Sequence, residues 1–191
     1  MTRFWLVRHG PTHQKTFTGW RDVPADLTDT AALDRLSSYL PDQALLVSSD
    51  LQRSVHTADA IGDGRTRLAH RKTLREFDFG MWDGLHHTEV AERDPVLSRQ
   101  FWEQPGTLSP PNGESWNAVT KRVTASLTQL AHRHKTKDIV VVGHMGMIMT
   151  MIAQCGGTPY EAMGHKIDNL SVTDVHFTLR GWRIGTINHV A

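Results

Sequence analysis

Asp138-Ile139-Val140-Val141-Val142-Gly143-His144-Met145-Gly146 is the stretch whose reading decides the fold. Its apolar, β-branched run has no polar alternation, as expected of a strand buried on both faces of a parallel sheet. It stops abruptly at Gly143-His144, and Met145 onward reads as a helix. A second run of the same kind opens the chain, Phe4-Trp5-Leu6-Val7, and it too is cut off by a His beside a Gly, Arg8-His9-Gly10. Working outward, Pro11 to Pro24 is a polar loop. Thr28 or Asp29 can cap a helix running to Leu40, with Ala32, Leu33, Leu36 and Leu40 on one face and Pro41 as the stop. Ala44 to Val47 reads as another buried strand. Ser49-Asp50-Leu51-Gln52 has capping-box spacing and predicts a helix with Leu51, Val55, Ala58 and Ile61 inward. Thr66 to Leu74 reads as extended, and Leu85 to Glu114 as an irregular insertion with short helical pieces. Ser115 caps the clearest helix, with Trp116, Val119, Val123, Leu127 and Leu130 at helical spacing. Val175, Phe177 and Leu179 alternate, and Arg180-Gly181 predicts a hairpin into Trp182 to Ile187. This order predicts a single α/β domain over residues 1–191. The expected architecture is a three-layer sandwich: a mostly parallel central sheet, helices on both faces, and an antiparallel edge strand.

The 191 residues carry 21 Lys and Arg against 20 Asp and Glu, a formal charge of +1, which gives no basis for a nucleic-acid partner. The longest apolar run, Ile139 to Ala153, is too short to span a bilayer, and the N-terminus is not patterned as a signal peptide. The single cysteine, Cys155, can form no internal disulfide, so the cytoplasm is the expected compartment. No feature of the sequence sets an oligomeric state.

In an open α/β sheet, ligands bind beyond the carboxyl ends of the strands. Neighbouring strands lie about 4.8 Å apart, so His9 and His144 would meet if their strands are adjacent. A helix starting after His144 would present free N–H groups to an anion there. Arg53 lies in the first turn of its helix, where a cation is disfavoured by the helix dipole unless an anion accompanies it. Arg8 adjoins His9 and has the fork geometry that grips phosphate. Two arginines and two histidines form a cradle for a phosphoryl group. Neutral imidazole can attack phosphorus, and nearby guanidinium groups disfavour its protonation. The leaving alcohol needs a proton, for which Leu74 to Gly84 offers Glu76, Asp78 and Asp83. Spacing does not choose among those acids.

The chain resembles the histidine phosphatase superfamily, the phosphoglycerate mutase-like proteins. The resemblance runs in order through Val7-Arg8-His9-Gly10, Phe17-Thr18-Gly19-Trp20-Arg21-Asp22 and Ser48 to Ala58. It continues through Leu74-Arg75-Glu76, Gly80-Met81-Trp82-Asp83-Gly84, Asn112-Gly113-Glu114-Ser115 and Val142 to Gly146. It implies His9 as the phosphorylated nucleophile and Glu76 as proton donor, then as base for water. It implies Arg8, Arg53 and His144 as the phosphate pocket. Thr18 and Gly19 match a substrate-contacting turn, and Met145 is grouped with the substrate-binding residues. No metal and no organic cofactor is implied. Pro11 stands where the family usually has Glu, an Asn expected shortly after is absent, and Leu27 to Leu33 departs from the usual helix start.

Mutases of this kind carry extra basic residues after the glutamate, whereas Phe77 to Glu114 holds only Arg93 and Arg99. Leu74 to Gly84 is more similar to the phosphatase branch, including α-ribazole phosphatases. The expected activity is therefore metal-independent hydrolysis of a small phosphorylated metabolite; a mutase-type phosphotransfer on the same residues is the alternative. The substrate candidates are α-ribazole phosphate, sugar phosphates, phosphoglycerates and nucleotides. A binding module without catalysis would lack the nucleophile or the acid, and both are present. His86-His87 and His132-x-His134 read as solvated surface, not metal ligands. Cys155 reads as a small buried residue, with no Cys-x5-Arg loop around it. Trp82, Phe101, Trp102 and Trp116 are candidates for a substrate lid, although the helical spacing of Trp116 points to the core.

Overall fold

The computed structural model describes residues 1–135 and 137–191. Its strands are β1 (Thr2–Arg8), β2 (Leu45–Ser48), β3 (Thr66–Arg67), β4 (Asp138–Gly143), β5 (Val172–Thr178) and β6 (Gly181–Ile184). They form one sheet in the order β3-β2-β4-β1-β5-β6. The β3-β2-β4-β1 portion is parallel; β5 runs antiparallel to β1, and β6 antiparallel to β5. The expected sandwich with an antiparallel edge is therefore the observed architecture.

The central strands are apolar at consecutive positions because both faces are covered. Phe4, Leu6, Ile139, Val141 and Val175 pack to one side, where α5 (Trp116–Arg133) contributes Val119, Val123, Leu127 and Leu130 and α6 (Met145–Gln154) contributes Met147, Ile148 and Met151. Trp5, Val7, Val140, Val142 and Val172 point the other way, against Leu33 and Leu36 of α1 (Thr30–Tyr39) and Ala58 of α2 (Gln52–Ala60). Burying side chains of this size contributes about 1.5–3 kcal/mol each before chain entropy is counted.

Two helices start as expected. Asp29, rather than Thr28, caps α1 by accepting from the Ala32 amide, and Ser115 caps α5 by accepting from Ala118. The expected capping box at Ser49 does not form. The Ser49 hydroxyl accepts from the Leu51 amide, α2 starts only at Gln52, and its first amide donates 2.7 Å to the Asp22 carboxylate from a distant loop. Extended structure over Thr66 to Leu74 is also corrected: the strand has two residues and a 3-10 turn covers Lys72–Leu74. Leu179 is fully exposed at the hairpin tip rather than continuing the inward alternation. The 85–114 segment holds two short helices, α3 (His87–Arg93) and α4 (Pro95–Glu103). A further short helix, α7 (Pro159–Met163), follows α6. Among the described residues, no helix is long and apolar enough to cross a membrane.

Candidate active site

The site sits where β1 and β4 end side by side. Their parallel register pairs Val7 with Val142 and Arg8 with Gly143, so the next residues of both strands, His9 and His144, fall together. Their rings lie edge-on, centroids 5.1 Å apart. His9 and Glu76 are each 7% exposed, Arg53 is 1% exposed and His144 is fully buried, so the pair's neighbours are largely dehydrated as well.

His9 is held by its own backbone and by its neighbours. Its Nδ1 lies 2.6 Å from the Gly10 carbonyl oxygen, which can only accept, so Nδ1 carries the hydrogen and Nε2 keeps its lone pair. The His9 amide donates to the Gly143 carbonyl, its carbonyl accepts from Asn169, and the following amide, of Gly10, donates to Thr57. Burial, reinforced by Arg53 and Arg8, pushes the His9 imidazole down to about 3. His144 is likewise held well below the usual imidazole range, first by burial and then by Arg53. Both rings are therefore neutral at pH 7.

Arg53 projects from the second position of α2 into a ring of backbone oxygens. Its Nη2 donates 2.6 Å to the Gly19 carbonyl and 3.5 Å to that of Thr18, and its Nη1 donates 2.9 Å to that of Arg21. Thr18 and Gly19 thus enter the site as backbone acceptors that aim a guanidinium group. The Gly19 position is also sterically fixed, since a Cβ would strike the Phe77 carbonyl and the Phe79 ring. Arg8 donates through Nη1 to the Ile167 carbonyl. Among the described residues, Nε of Arg8, Nε of Arg53 and Nδ1 of His144 are buried with no partner. Buried donors normally find a partner, so the unmet guanidinium donors of Arg8 and Arg53 suit this cluster to an anionic ligand.

Of the three acids left open by spacing, the structure brings only Glu76 to this cluster. Its Oε2 accepts 3.0 Å from the Gly146 amide and its Oε1 accepts 2.9 Å from the Phe77 amide. The exposed helix N-terminus expected after His144 is therefore partly taken by a carboxylate of the protein. Gly146 is required for that approach, because a Cβ there would collide with the Glu76 carboxyl and the Phe77 ring. Asp78 turns to the Gly80 amide. Asp83 accepts from the amides of Gly19, Trp20 and Arg21 at 3.0–3.2 Å and from the Arg21 guanidinium at 3.1 Å. It is the clamp on the turn whose carbonyls hold Arg53.

The sequence model of the Histidine phosphatase superfamily (branch 1) matches residues 4–190. The chain belongs to this superfamily. It is an enzyme of the phosphatase class, as its relatives also indicate. It is 28% identical over 169 residues to the adenosylcobalamin/alpha-ribazole phosphatase of Escherichia coli, covering 85% of this chain and 83% of that protein. It is 30% identical over 174 residues to the glucosyl-3-phosphoglycerate phosphatase of Mycolicibacterium vanbaalenii, covering 83% and 76% of the two chains. The solved structure of Bacillus stearothermophilus YhfR superimposes with a TM-score of 0.89 at 24% identity, over 100% of this chain and 98% of that one.

Several residues that hold this cluster in place were not singled out from the sequence. Ser54 lies with its hydroxyl 3.3 Å from His144 Nε2. Arg122, from α5, donates to the carbonyls of Thr73, Arg75 and Glu76 and pairs with Glu114 at 2.8 Å. The Trp20 indole also donates to the Glu76 carbonyl, at 2.9 Å. Ser54, Trp20 and Glu114 lie within matched stretches without a role assigned to them, and Arg122 lies outside every match, since hydrogen bonds to backbone oxygens have no sequence signature.

Beside Glu76 opens a cavity of about 430 Å3. Phe101, Trp102 and Trp116 line it, whereas Trp82 is fully buried in the core and its indole donates to Asp94, which corrects its place in the expected lid. Met145, the first residue of α6, also lines the cavity and is 39% exposed. No group of histidines and acids suited to a metal ion occurs among the described residues. His86 instead caps α3, and His132 packs edge-on against Phe177. Cys155 is half-buried, and burial pushes its thiol up to about 12, leaving it unreactive at neutral pH.

Proposed function

We propose that residues 1–191 form one catalytic domain that hydrolyses a small organic phosphate monoester through a phosphohistidine on His9, without a metal. The observation that carries this reading is the neutral His9 ring beside His144, its Nε2 free, together with the unpaired buried Nε–H groups of Arg8 and Arg53. The phosphoryl group docks on Arg8, Arg53 and His144, and the two guanidinium groups supply the positive charge that the equatorial oxygens need. His9 Nε2 attacks phosphorus; the N–P bond forms as the P–O bond to the alcohol breaks, and the Glu76 carboxyl gives its proton to the departing oxygen. A water then attacks the phosphohistidine and passes a proton to Glu76. The N–P bond breaks, phosphate leaves and the acid is regenerated. Thr18, Gly19 and Met145 border the bound ester.

Hydrolysis is favoured over mutase-type transfer by the state of the two cations in the segment after Glu76. Arg93 and Arg99 both lie outside the lining of the cavity beside Glu76, so neither offers a cation there for a second acidic group. The test is an alkaline quench during turnover of a labelled phosphomonoester. Label is expected on the peptide containing His9. His9→Ala should lose both the label and at least about 10⁴-fold in turnover. Full activity after dialysis against a chelator is also expected. Wild-type turnover by His9→Ala would end the proposal, and loss of activity to the chelator would end its metal-free part.

A further inference from the structure

The cavity beside Glu76 bears on the alcohol half of the substrate, a reading that rests on the proposed role of Glu76. If Glu76 protonates the departing oxygen, the alcohol must leave past that carboxyl. The cavity begins there, bordered by Glu76, Met145 and Gly146. Its volume, about 430 Å3, lies in the range of small-molecule sites. Beyond Glu76 its walls carry no cation and no further carboxylate. They are rings (Phe77, Phe101, Trp102, Trp116) and the flexible side chains of Met149 and Met163. Phe101 stands edge-on to Trp102 at 4.8 Å and to Phe77 at 6.3 Å, giving a preformed aromatic wall. At the rim, Trp102 and Met145 are each 39% exposed and Tyr160 is 64% exposed. Large apolar groups left in water around one opening mark a surface that a ligand covers.

A carboxylate or sugar-like polyol entering here would give up its hydration with no cation to replace it and with the Glu76 carboxyl nearby, a costly exchange. A ring or branched hydrocarbon would exchange water for apolar contact, and thioether side chains adapt to its outline. We infer that the cavity selects phosphate monoesters of bulky, uncharged, predominantly aromatic alcohols and rejects those whose alcohol carries a carboxylate.

Because phenols leave more readily than alkanols, the test compares alkyl esters only. The wild-type protein is assayed for phosphate release from 3-phenylpropyl phosphate, glycerol 3-phosphate and 3-phosphoglycerate. Each methylene-sized apolar step is worth roughly 10–200-fold in discrimination, so the phenylpropyl ester should lead 3-phosphoglycerate by at least about 10²-fold in kcat/KM. Trp102→Ala, a truncation at a partly exposed rim position, should shrink that ratio by about tenfold or more, mainly through KM for the phenylpropyl ester. Met145→Arg should raise the relative rate on 3-phosphoglycerate by supplying the missing cation. Equal or reversed preference in the wild type, or a ratio unmoved by Trp102→Ala, overturns the inference. His9→Ala, run in parallel, reports separately on the phosphohistidine reading: its failure leaves the selectivity ratio meaningful, and the reverse is equally true.

Discussion

The strand-end cluster and the cavity beside it lie next to each other and are built on opposite principles. At the cluster, three of the side chains are fixed by backbone groups: Gly10 for His9, Gly19 and Arg21 for Arg53, Gly146 and Phe77 for Glu76. In the cavity, the walls meet ring to ring and hold position by shape alone. Directional hydrogen bonds set atoms to within fractions of an ångström, as in-line attack on phosphorus requires. Apolar packing accepts any group of suitable volume. The difference teaches that one end can serve the chemistry shared by all phosphate monoesters while the other sorts them, and that the two can be altered separately.

The comparison breaks most visibly at Glu76, which belongs to both ends. Glu76→Gln should lower kcat for an alkyl phosphate by about 10²–10⁴-fold. The loss should be much smaller for 4-nitrophenyl phosphate, whose leaving group needs no proton. Steady-state kinetics on the two esters check this, and equal losses would remove Glu76 as the proton donor. Next comes Arg53→Ala, expected to cost roughly 10²–10³-fold in kcat/KM for every ester alike, because it acts on the phosphoryl group. A loss confined to one alcohol would blur the boundary between the two ends.

Asp83→Asn is a smaller perturbation, and it acts at a distance. The side chain keeps its size but weakens its grip on the turn from Gly19 to Arg21, which aims Arg53. About a tenfold loss in kcat/KM is expected, additive with changes in the cavity and not with Arg53→Ala. A double-mutant cycle reads this directly.

The smallest effect is on stability against pH. Folded His9 takes up a proton only near 3, whereas a free imidazole does so near 6.5. Between those values only the unfolded chain binds the proton, so stability rises with pH there and is fully present above about 6.5. It should fall on acidification, by at most about 1.4 kcal/mol per pH unit from this group. Thermal melts between pH 4 and 7 should show a shallower decline for His9→Asn than for the wild-type protein. Identical slopes would refute the account.

The cluster was legible in the sequence and the cavity only in part, through Phe101, Trp102 and Trp116, for a physical reason. His9 and His144 each follow an apolar run, and a buried strand has few ways to end, so local pattern alone placed both at strand termini. The resemblance then added Glu76, which spacing had left level with Asp78 and Asp83. The walls of the cavity come from Phe77, Phe101, Trp116 and Tyr160, scattered over four segments with no common period. One ring suspected of lining it, that of Trp82, lies instead in the core. A failure of the same kind occurred at Ser49, where the local capping signal lost to Asp22, thirty residues upstream of Gln52.

By itself, then, the sequence determined the alternation of strands and helices, the two-faced burial of the sheet and the residue types at the strand ends. Those depend on hydrophobic periodicity and on turn chemistry, which act over a few residues. Only the tertiary structure decided that β1 and β4 are neighbours in matching register, that Glu76 takes the Gly146 amide just past His144, and what shape of cavity opens beside them. Contacts between distant segments depend on how whole elements pack, and that information is spread over the entire chain rather than written in any one stretch of it.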